Sequence, residues 1–451
     1  MPAFFRAITI GFLLLTSGCF FGKKDKQARR LLHLLQRLGP SYIKLGQTLS
    51  VRPDIVGEEI AKELTSLQDN IPPFSTKKAI SIIEKETGKK LDFIFSEFNK
   101  TPVAAASVAQ VHKAITIDGI TVAVKILRPG IVKAFYKDIK VFYMLASWIS
   151  LFKRAKRLRL KEVVQTFETT VKRETDLRME AASSSLLSEN CARDKHIHIP
   201  KVYWALTTQK IMTSEWVEGA HILDISALEK NGTSRKEVAR KLAINFFNQV
   251  YRDGFFHADT HPGNLLVDKN GRIVMVDFGI MGRLDEETRI FVAKILHGFL
   301  VGDYDAVSKV HFDAGYVPRN QNRDEFSIAC RAIGEPILGL PASQVSIAKL
   351  LALLFKITEE FEMPTQPQLL LLQKTMVLVE GIGTALYPEV NLWQLAEDWI
   401  QDWAKENLSP QAELKRKTKH MADLLLTMPE TLNKLQELIA HEHERKIGAS
   451  K

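Results

Sequence analysis

Between Phe256 and Gly279 the chain reads FHADTHPGNLLVDKNGRIVMVDFG, and no other segment limits its fold as tightly. Asp259 precedes Asn264 by five positions, and Asp277, which opens an Asp-Phe-Gly triplet, follows Asn264 by thirteen. Two apolar runs, 265–267 and 273–276, flank Lys269-Asn270-Gly271, a turn sequence. A hairpin on that turn brings Asn264 and Asp277 to the same end. Both are hard oxygen donors suited to Mg²⁺, which takes few protein ligands and keeps its waters. Asp259 adds a carboxylate on the acceptor side. Phosphoryl transfer asks a protein for little more: metal held against phosphates, and a group that orients or deprotonates the acceptor.

The residue types, their order and their spacing match the catalytic loop and metal motif of protein kinases, with Ala258 where kinases usually carry arginine. A competing reading takes the alternating His257, Asp259 and His261 as a metal cluster. It leaves Asn264 and the Asp-Phe-Gly triplet unexplained.

Upstream, the β-branched runs 111–115 and 121–126 flank Asp118-Gly119 and read as a hairpin. Its second strand carries Val122-Ala123-Val124-Lys125, a strand whose lysine can meet the α- and β-phosphates. Such a strand is commonplace alone and gains weight from the loop downstream. A carboxylate partner for Lys125 is expected on a helix, and KRETDLRMEAAS offers Glu174, Asp176 and Glu180. Glu174 and Glu180 stand well over one and a half helical turns apart, so they cannot duplicate one role. A glycine-rich phosphate loop is missing from its expected place. Ala104, Ala105, Ala106, Ser107 and Val108 stand there instead, and alanine denies the backbone the close approach that glycine permits. The segment reads as a modified nucleotide loop, which counts against ordinary protein phosphorylation.

With 451 residues, 45% hydrophobic and 25% charged, the chain can bury one bilobal domain with helical additions, or two domains. A net charge of +10 suits anionic partners, and without zinc-finger spacing or an RNA-binding aromatic strand the expected partner is a membrane surface and not nucleic acid. Cys19, Cys191 and Cys330 form no CxxC pair, which fits a reducing compartment. Residues 7–21 are mostly apolar and resemble a signal peptide, but the run is short for a span of about 20 residues. The five basic residues of GKKDKQARR follow it and favour retention in the cytoplasm. The expectation is an uncleaved, membrane-seeking or buried helix.

Periodicity predicts helices over 31–38, 58–67 and 76–86, the last capped by Ser75 or Thr76, then over 133–157 and 161–187. The basic run at 153–161 reads as a solvated helix face. Short strands are expected at 201–205 and 210–216. Beyond Glu218-Gly219 the chain is mainly helical, so a β-containing lobe precedes a helical one.

The segment Tyr42-Ile43-Lys44-Leu45-Gly46-Gln47, continuing to Ser50-Val51-Arg52-Pro53-Asp54, resembles the K-x-G-Q signature of the UbiB family of atypical kinases. The alanine-rich loop, Lys125, the E-x-D of Glu174 to Asp176, HADTHPGN, DFG and the stretch QPQLLLLQKTMVLVEGIGTAL follow in that family's order, and the resemblance covers residues 31–403. It implies an α+β, bilobal protein-kinase-like fold. Its parts are an apolar and basic segment at 1–30, a helical K-x-G-Q extension at 31–100, an N-lobe with a helical insert at 101–216, a helical C-lobe at 217–405 and a helical tail at 406–451. The resemblance further implies that Lys125 pairs with Glu180, that Asn264 and Asp277 hold Mg²⁺, and that Asp259 is the catalytic-loop aspartate. Lys44 and Gln47 would lie near Glu174 and Asp176, on a cover that obstructs a protein substrate.

By the same resemblance the chain is an enzyme, a phosphotransferase or ATPase using ATP (or ADP) with Mg²⁺. It would support aerobic ubiquinone biosynthesis at the cytoplasmic face of the bacterial inner membrane. Membrane lipids, polyprenyl-phenol intermediates and other enzymes of that biosynthesis are its implied partners. The alternative is a nucleotide-binding pseudokinase scaffold for those enzymes. No A-P-E element is visible, and Thr260 stands where the family usually has an apolar residue. The family's paired C-terminal transmembrane helices are not evident: an amphipathic helix at 431–439 precedes polar HEHERKIGASK. Attachment is therefore expected through the N-terminal segment, basic surfaces or a partner.

Overall fold

In the computed structural model the described residues are 24–50, 58–64, 72–150, 160–338, 366–389 and 397–412, with isolated positions near those segments. The apolar run at 7–21 with Cys19, Arg52-Pro53-Asp54, the basic run up to residue 159 and the helix expected at 431–439 lie outside them. The chain divides into two compact units, one drawn from Met1–Leu284, Ser346–Phe355 and Pro364–Leu392, the other from Asp285–Val345, Lys356–Met363 and Trp393–Lys451.

The first unit opens with three helices, α1 (Lys24–Leu38), α2 (Pro40–Ser50) and α3 (Glu58–Leu64). Helix α4 (Thr76–Thr87) follows, closed by Gly88 in the left-handed region at φ 69°. Ser75 occupies its N-cap position but makes no capping bond, and the Thr76 hydroxyl donates to the Lys100 carbonyl instead. Strands β1 (Phe95–Phe98), β2 (Ala104–Ala105), β3 (Ala109–Thr116) and β4 (Thr121–Leu127) then form most of an antiparallel sheet. The hairpin expected at Asp118-Gly119 is there, with Gly119 at φ 77°.

Period-two alternation decides what each face of β4 does. Val122, Val124 and Ile126 are fully buried in a core with Ala79, Ile83 and Phe95. Ala123 and Lys125 therefore belong to the opposite face.

Three helices follow: α5 (Ile131–Ile149), α6 (Leu160–Glu174) and α7 (Leu177–Asn190). The single helix expected over 161–187 is two. Asp176 is in extended conformation and caps α7 by accepting from the Arg178 N–H, which ends one helix and starts the next. The joint is pinned by a hydrogen bond from the Leu177 N–H to the Gln209 carbonyl at 3.0 Å. A second core joins α1, α2, α5, α6 and α7, with Tyr42, Phe142, Phe135 and Phe167 packed edge to face.

Beyond α7 come β5 (Ile197–His198) and β6 (Ile211–Glu215), the latter completing the first sheet beside β4. The strand expected at 201–205 is a lone bridge at Val202 followed by a tight turn over Trp204–Leu206. The Thr207 hydroxyl donates to the Tyr203 carbonyl and accepts from the Thr213 N–H, so side-chain bonds divert the backbone into a turn.

After β7 (Ala220–His221), helix α8 (Arg235–Phe247) continues as a π-helical stretch, Asn248–Asp253, that ends at Gly254. Strands β8 (Phe255–His257), β9 (Leu265–Val267), β10 (Ile273–Met275) and β11 (Met281–Arg283) follow. β9 and β10 pair antiparallel with β5 and β7 on their flanks, while β8 pairs with β11. Gly282 is required on β11, because a Cβ there would enter the Phe256 ring.

The second unit contributes α9 (Glu286–Val301), α10 (Tyr304–Asp313) and α11 (Arg323–Leu338). The first resumes with α12 (Pro367–Leu386), and α13 (Glu397–Leu408) belongs to the second. Helix α12 is long and apolar enough to cross a membrane by length and composition alone. Leu370, Leu372, Met376, Val379 and Ile382 are instead buried within the unit, where α12 packs on α8. The chain has the α+β, bilobal kinase-like fold, with a helical extension before the sheet.

Candidate functional site

Lys125 leaves the core-averse face of β4 and meets two carboxylates. Its Nζ lies 2.6 Å from Glu180 Oε1 in the first turn of α7 and 3.3 Å from Asp277 Oδ2. Of the three carboxylates left open by the sequence, the structure brings Glu180 to Lys125. Burial alone would depress the Lys125 ammonium, but Asp277 and Glu180 outweigh it and raise its pKa, so the lysine stays charged. Burial also pushes the Glu180 carboxyl up, with Lys125 opposing. The Lys125 charge holds Asp277 below the ordinary carboxylate range against the effect of burial. Asp277 is thus an anion at neutral pH, and its side chain is 47% exposed.

Asp277 sits at φ 62°, in the left-handed region that a non-glycine residue visits at a cost. Its neighbours fix it there. The Val276 N–H donates to the Asn264 carbonyl at 2.9 Å, the Gly279 N–H reaches Asp277 Oδ1, and His257 Nε2 donates to the Asp277 carbonyl at 2.8 Å. The β9–β10 turn is built as expected, with Gly271 at φ 68° and Asp268 accepting from the N–H groups of Asn270 and Arg272. Asn264 and Asp277 accordingly leave adjacent strand ends side by side.

The loop between β8 and β9 carries Asp259. The Asn264 carboxamide nitrogen donates to the Asp259 carbonyl at 3.0 Å, leaving the amide oxygen as the group available to a ligand. His257 is fully buried, its Nδ1 accepts from the Asp259 N–H, and burial lowers its pKa despite the pull of Asp259 and Asp277. Both of its ring nitrogens are engaged, and His261 Nδ1 accepts from the Gly263 N–H. These histidines brace the loop and do not form a metal cluster with Asp259. Asp259 Oδ1 lies 2.9 Å from Nζ of Lys374 on α12, a residue that sequence reasoning missed. One signal could have exposed it: Lys374 is the only cation in the apolar α12 segment, and a charge in such a stretch needs a partner.

The helical extension is tied to α6 through a second lysine. Lys44 Nζ is 2.6 Å from Glu174 Oε1, with both side chains 9% exposed. The Gln47 carboxamide donates to the Leu67 carbonyl, and Asp176 forms a close ion pair with Arg178. Of the four residues expected together, Lys44 and Glu174 meet directly. The glycine of the signature has a packing reason, since a Cβ on Gly46 would enter the side chains of Leu67 and Leu35.

The alanine-rich segment turns between β2 and β3, with the Ala106 N–H donating to the Ala109 carbonyl at 2.8 Å. Arg128 donates to the carbonyls of Ala106 and Pro72. Behind the turn, Gln110 Oε1 accepts from the Phe74 N–H, Gln110 Nε2 donates to His112 Nε2, and His112 Nδ1 donates to the Asn99 carbonyl. Hydrogen bonds thus fix the turn's conformation without glycine.

The residues present fit a magnesium-bound nucleotide by the chemistry of the donor set: a carboxylate and an amide on adjacent strand ends, with a lysine held charged against the carboxylate. The hydroxyls of Ser107 and Thr260 are buried and make no hydrogen bond among the described residues, which leaves them open to a ligand.

Comparison with known proteins agrees with this architecture. The ABC1 atypical kinase-like domain profile matches residues 66–311, and the UbiB helical domain profile matches residues 330–391. A Marinobacter nauticus protein named "Probable protein kinase UbiB" is 39% identical over 428 residues, covering 94% of this chain and 78% of its own length. A Histophilus somni protein of the same name is 40% identical over 430 residues, covering 92% and 79%. Among solved structures, that of the Rv3197–erythromycin complex from Mycobacterium tuberculosis aligns with a TM-score of 0.54 at 26% identity, over 83% of this chain and 95% of that one.

Proposed function

The chain belongs to the ABC1/UbiB family of atypical kinases, and on that premise we propose that it is a phosphotransferase or ATPase that uses Mg-ATP to support aerobic ubiquinone biosynthesis at the membrane. The observation that carries the reading is Lys125 in contact with both Glu180 and Asp277 beside Asn264 and Asp259. Bound Mg-ATP would supply the transferable phosphoryl group and the divalent charge. Asp277 and the Asn264 amide oxygen would hold the metal. Lys125, fixed by Glu180, would present its ammonium to the α- and β-phosphates. Asp259 would orient or deprotonate the acceptor, a lipid-like or small hydroxyl or water. The buried Lys44–Glu174 latch and the alanine turn support small-molecule, lipid or hydrolytic chemistry over protein phosphorylation.

Complementation tests the reading. In a bacterial strain lacking its own UbiB, the wild-type chain is expected to restore ubiquinone and Asp277→Asn, at equal protein level, to restore less than about one hundredth as much. Equal rescue by both would leave the nucleotide-binding scaffold as the better account.

A further inference from the structure

One charged group at the site has no part in the reading above. Lys374 lies 115 residues beyond Asp259 in sequence and reaches it from α12, Nζ to Oδ1 at 2.9 Å. We propose that Lys374 is a phosphate-binding residue of this site, its ammonium kept in place by Asp259 until the phosphoryl group to be transferred arrives. The proposal rests on the phosphotransferase reading.

Three observations carry it. First, the loop that holds Asp259 brings no cation of its own: from Ala258 to Leu265 it contains neither lysine nor arginine, and the buried Ala258 occupies the usual arginine position. Lys125 stands with Glu180 and Asp277 and is assigned to the α- and β-phosphates, not to the acceptor side. Second, Lys374 is the only cation among the 20 residues of α12, yet the helix does not need it to dock. Buried Leu370, Met376, Val379 and Ile382 anchor the helix, and an ion pair with side chains 29% and 34% exposed adds little to that. Third, the same exposure leaves the pair reachable by a ligand. An ammonium beside the acceptor-side carboxylate can answer the charge that spreads over the equatorial oxygens during transfer. Moving from Asp259 to a phosphate oxygen, Lys374 would release that carboxylate for the acceptor; no covalent bond to the protein forms or breaks.

The test separates binding from folding. Mg-ATP and Mg-ADP affinities of the purified full chain are measured by displacement of a fluorescent nucleotide, together with thermal melting and turnover. Lys374→Met and Lys374→Gln should keep the Mg-ADP affinity within about twofold and weaken Mg-ATP about tenfold. Turnover should fall about a hundredfold. Lys374→Arg should recover part of the preference for Mg-ATP, and all three should melt with the wild type. Equal weakening of both nucleotides, or of neither, overturns the proposal, as does a loss of cooperative melting in both neutral variants. A wild-type chain that binds neither nucleotide overturns the phosphotransferase reading as well, whereas wild-type binding with unchanged variants overturns this inference alone.

Discussion

The two compact units bury different things. The first pairs lysines with carboxylates: Lys44 with Glu174, Lys125 with Glu180 and Asp277, Lys374 with Asp259. The second packs rings, as the core around Phe142 in the first also does. Phe299 meets Tyr304 and Phe326 meets Phe361 edge to face, and burial there holds His311 neutral and pushes the Cys330 thiol up to about 12. Buried charge carries a desolvation cost that only good pairing offsets, so a fold that repeats it is organised for chemistry or for a latch. An aromatic core with one neutral histidine is organised for stability. Within the first unit exposure separates the two uses. Lys44–Glu174 is closed to solvent, whereas Asp277 is half-exposed.

Breaking the closed pair should have the largest effect on stability. Glu174→Ala leaves Lys44 buried without its carboxylate and should cost about 3–5 kcal/mol in chemical denaturation. Asp277→Asn should change denaturation far less while abolishing function. A similar response from both would erase the distinction between latch and working site.

A smaller effect is expected in the second unit. Gly334 sits inside α11, where alanine ordinarily stabilises a helix. A Cβ there would enter the ring of Tyr304, which is fully buried. Gly334→Ala should therefore destabilise by about 1–3 kcal/mol. A gain in stability would mean that the aromatic packing is looser than described.

Much of the first unit was legible in the sequence because its signals are local. The turn residues at Gly271 set the β9–β10 hairpin, and those at Asp118-Gly119 set the β3–β4 hairpin that carries Lys125. The K-x-G-Q lysine was legible as a motif, but its pairing with Glu174 came only with the family resemblance. Other features escaped, three of them instructive. Strand β1 is four residues long and follows a tight turn, too short for alternation to register. The joint at Asp176 lay hidden in an otherwise continuous helical pattern, although a Thr-Asp pair is itself a capping signal. Lys374 was missed because its partner is distant in the chain, and no periodicity predicts which distant carboxylate a lone charge in an apolar helix will meet.

The last effect is a pH dependence, and it tests whether the aromatic unit tolerates charge at all. His311 donates from Nδ1 to the Val307 carbonyl and packs 5.1 Å from the Phe326 ring. Burial lowers its pKa from 6.5 to about 4, against the pull of that hydrogen bond. In the unfolded chain the imidazole takes up a proton as pH falls through 6.5, while the folded protein resists until about 4. The unfolded state therefore binds more protons across this window, and stability must fall as the pH drops. Between pH 7 and 5 the loss should be about 2 kcal/mol. Replacing His311 by leucine removes the proton-binding group while keeping an apolar side chain in the ring cluster. Denaturation of His311→Leu should then lose about 2 kcal/mol less than the wild type over that range. Parallel slopes would mean that His311 takes up its proton in the folded state, and that the second unit, like the first, has room for a buried charge.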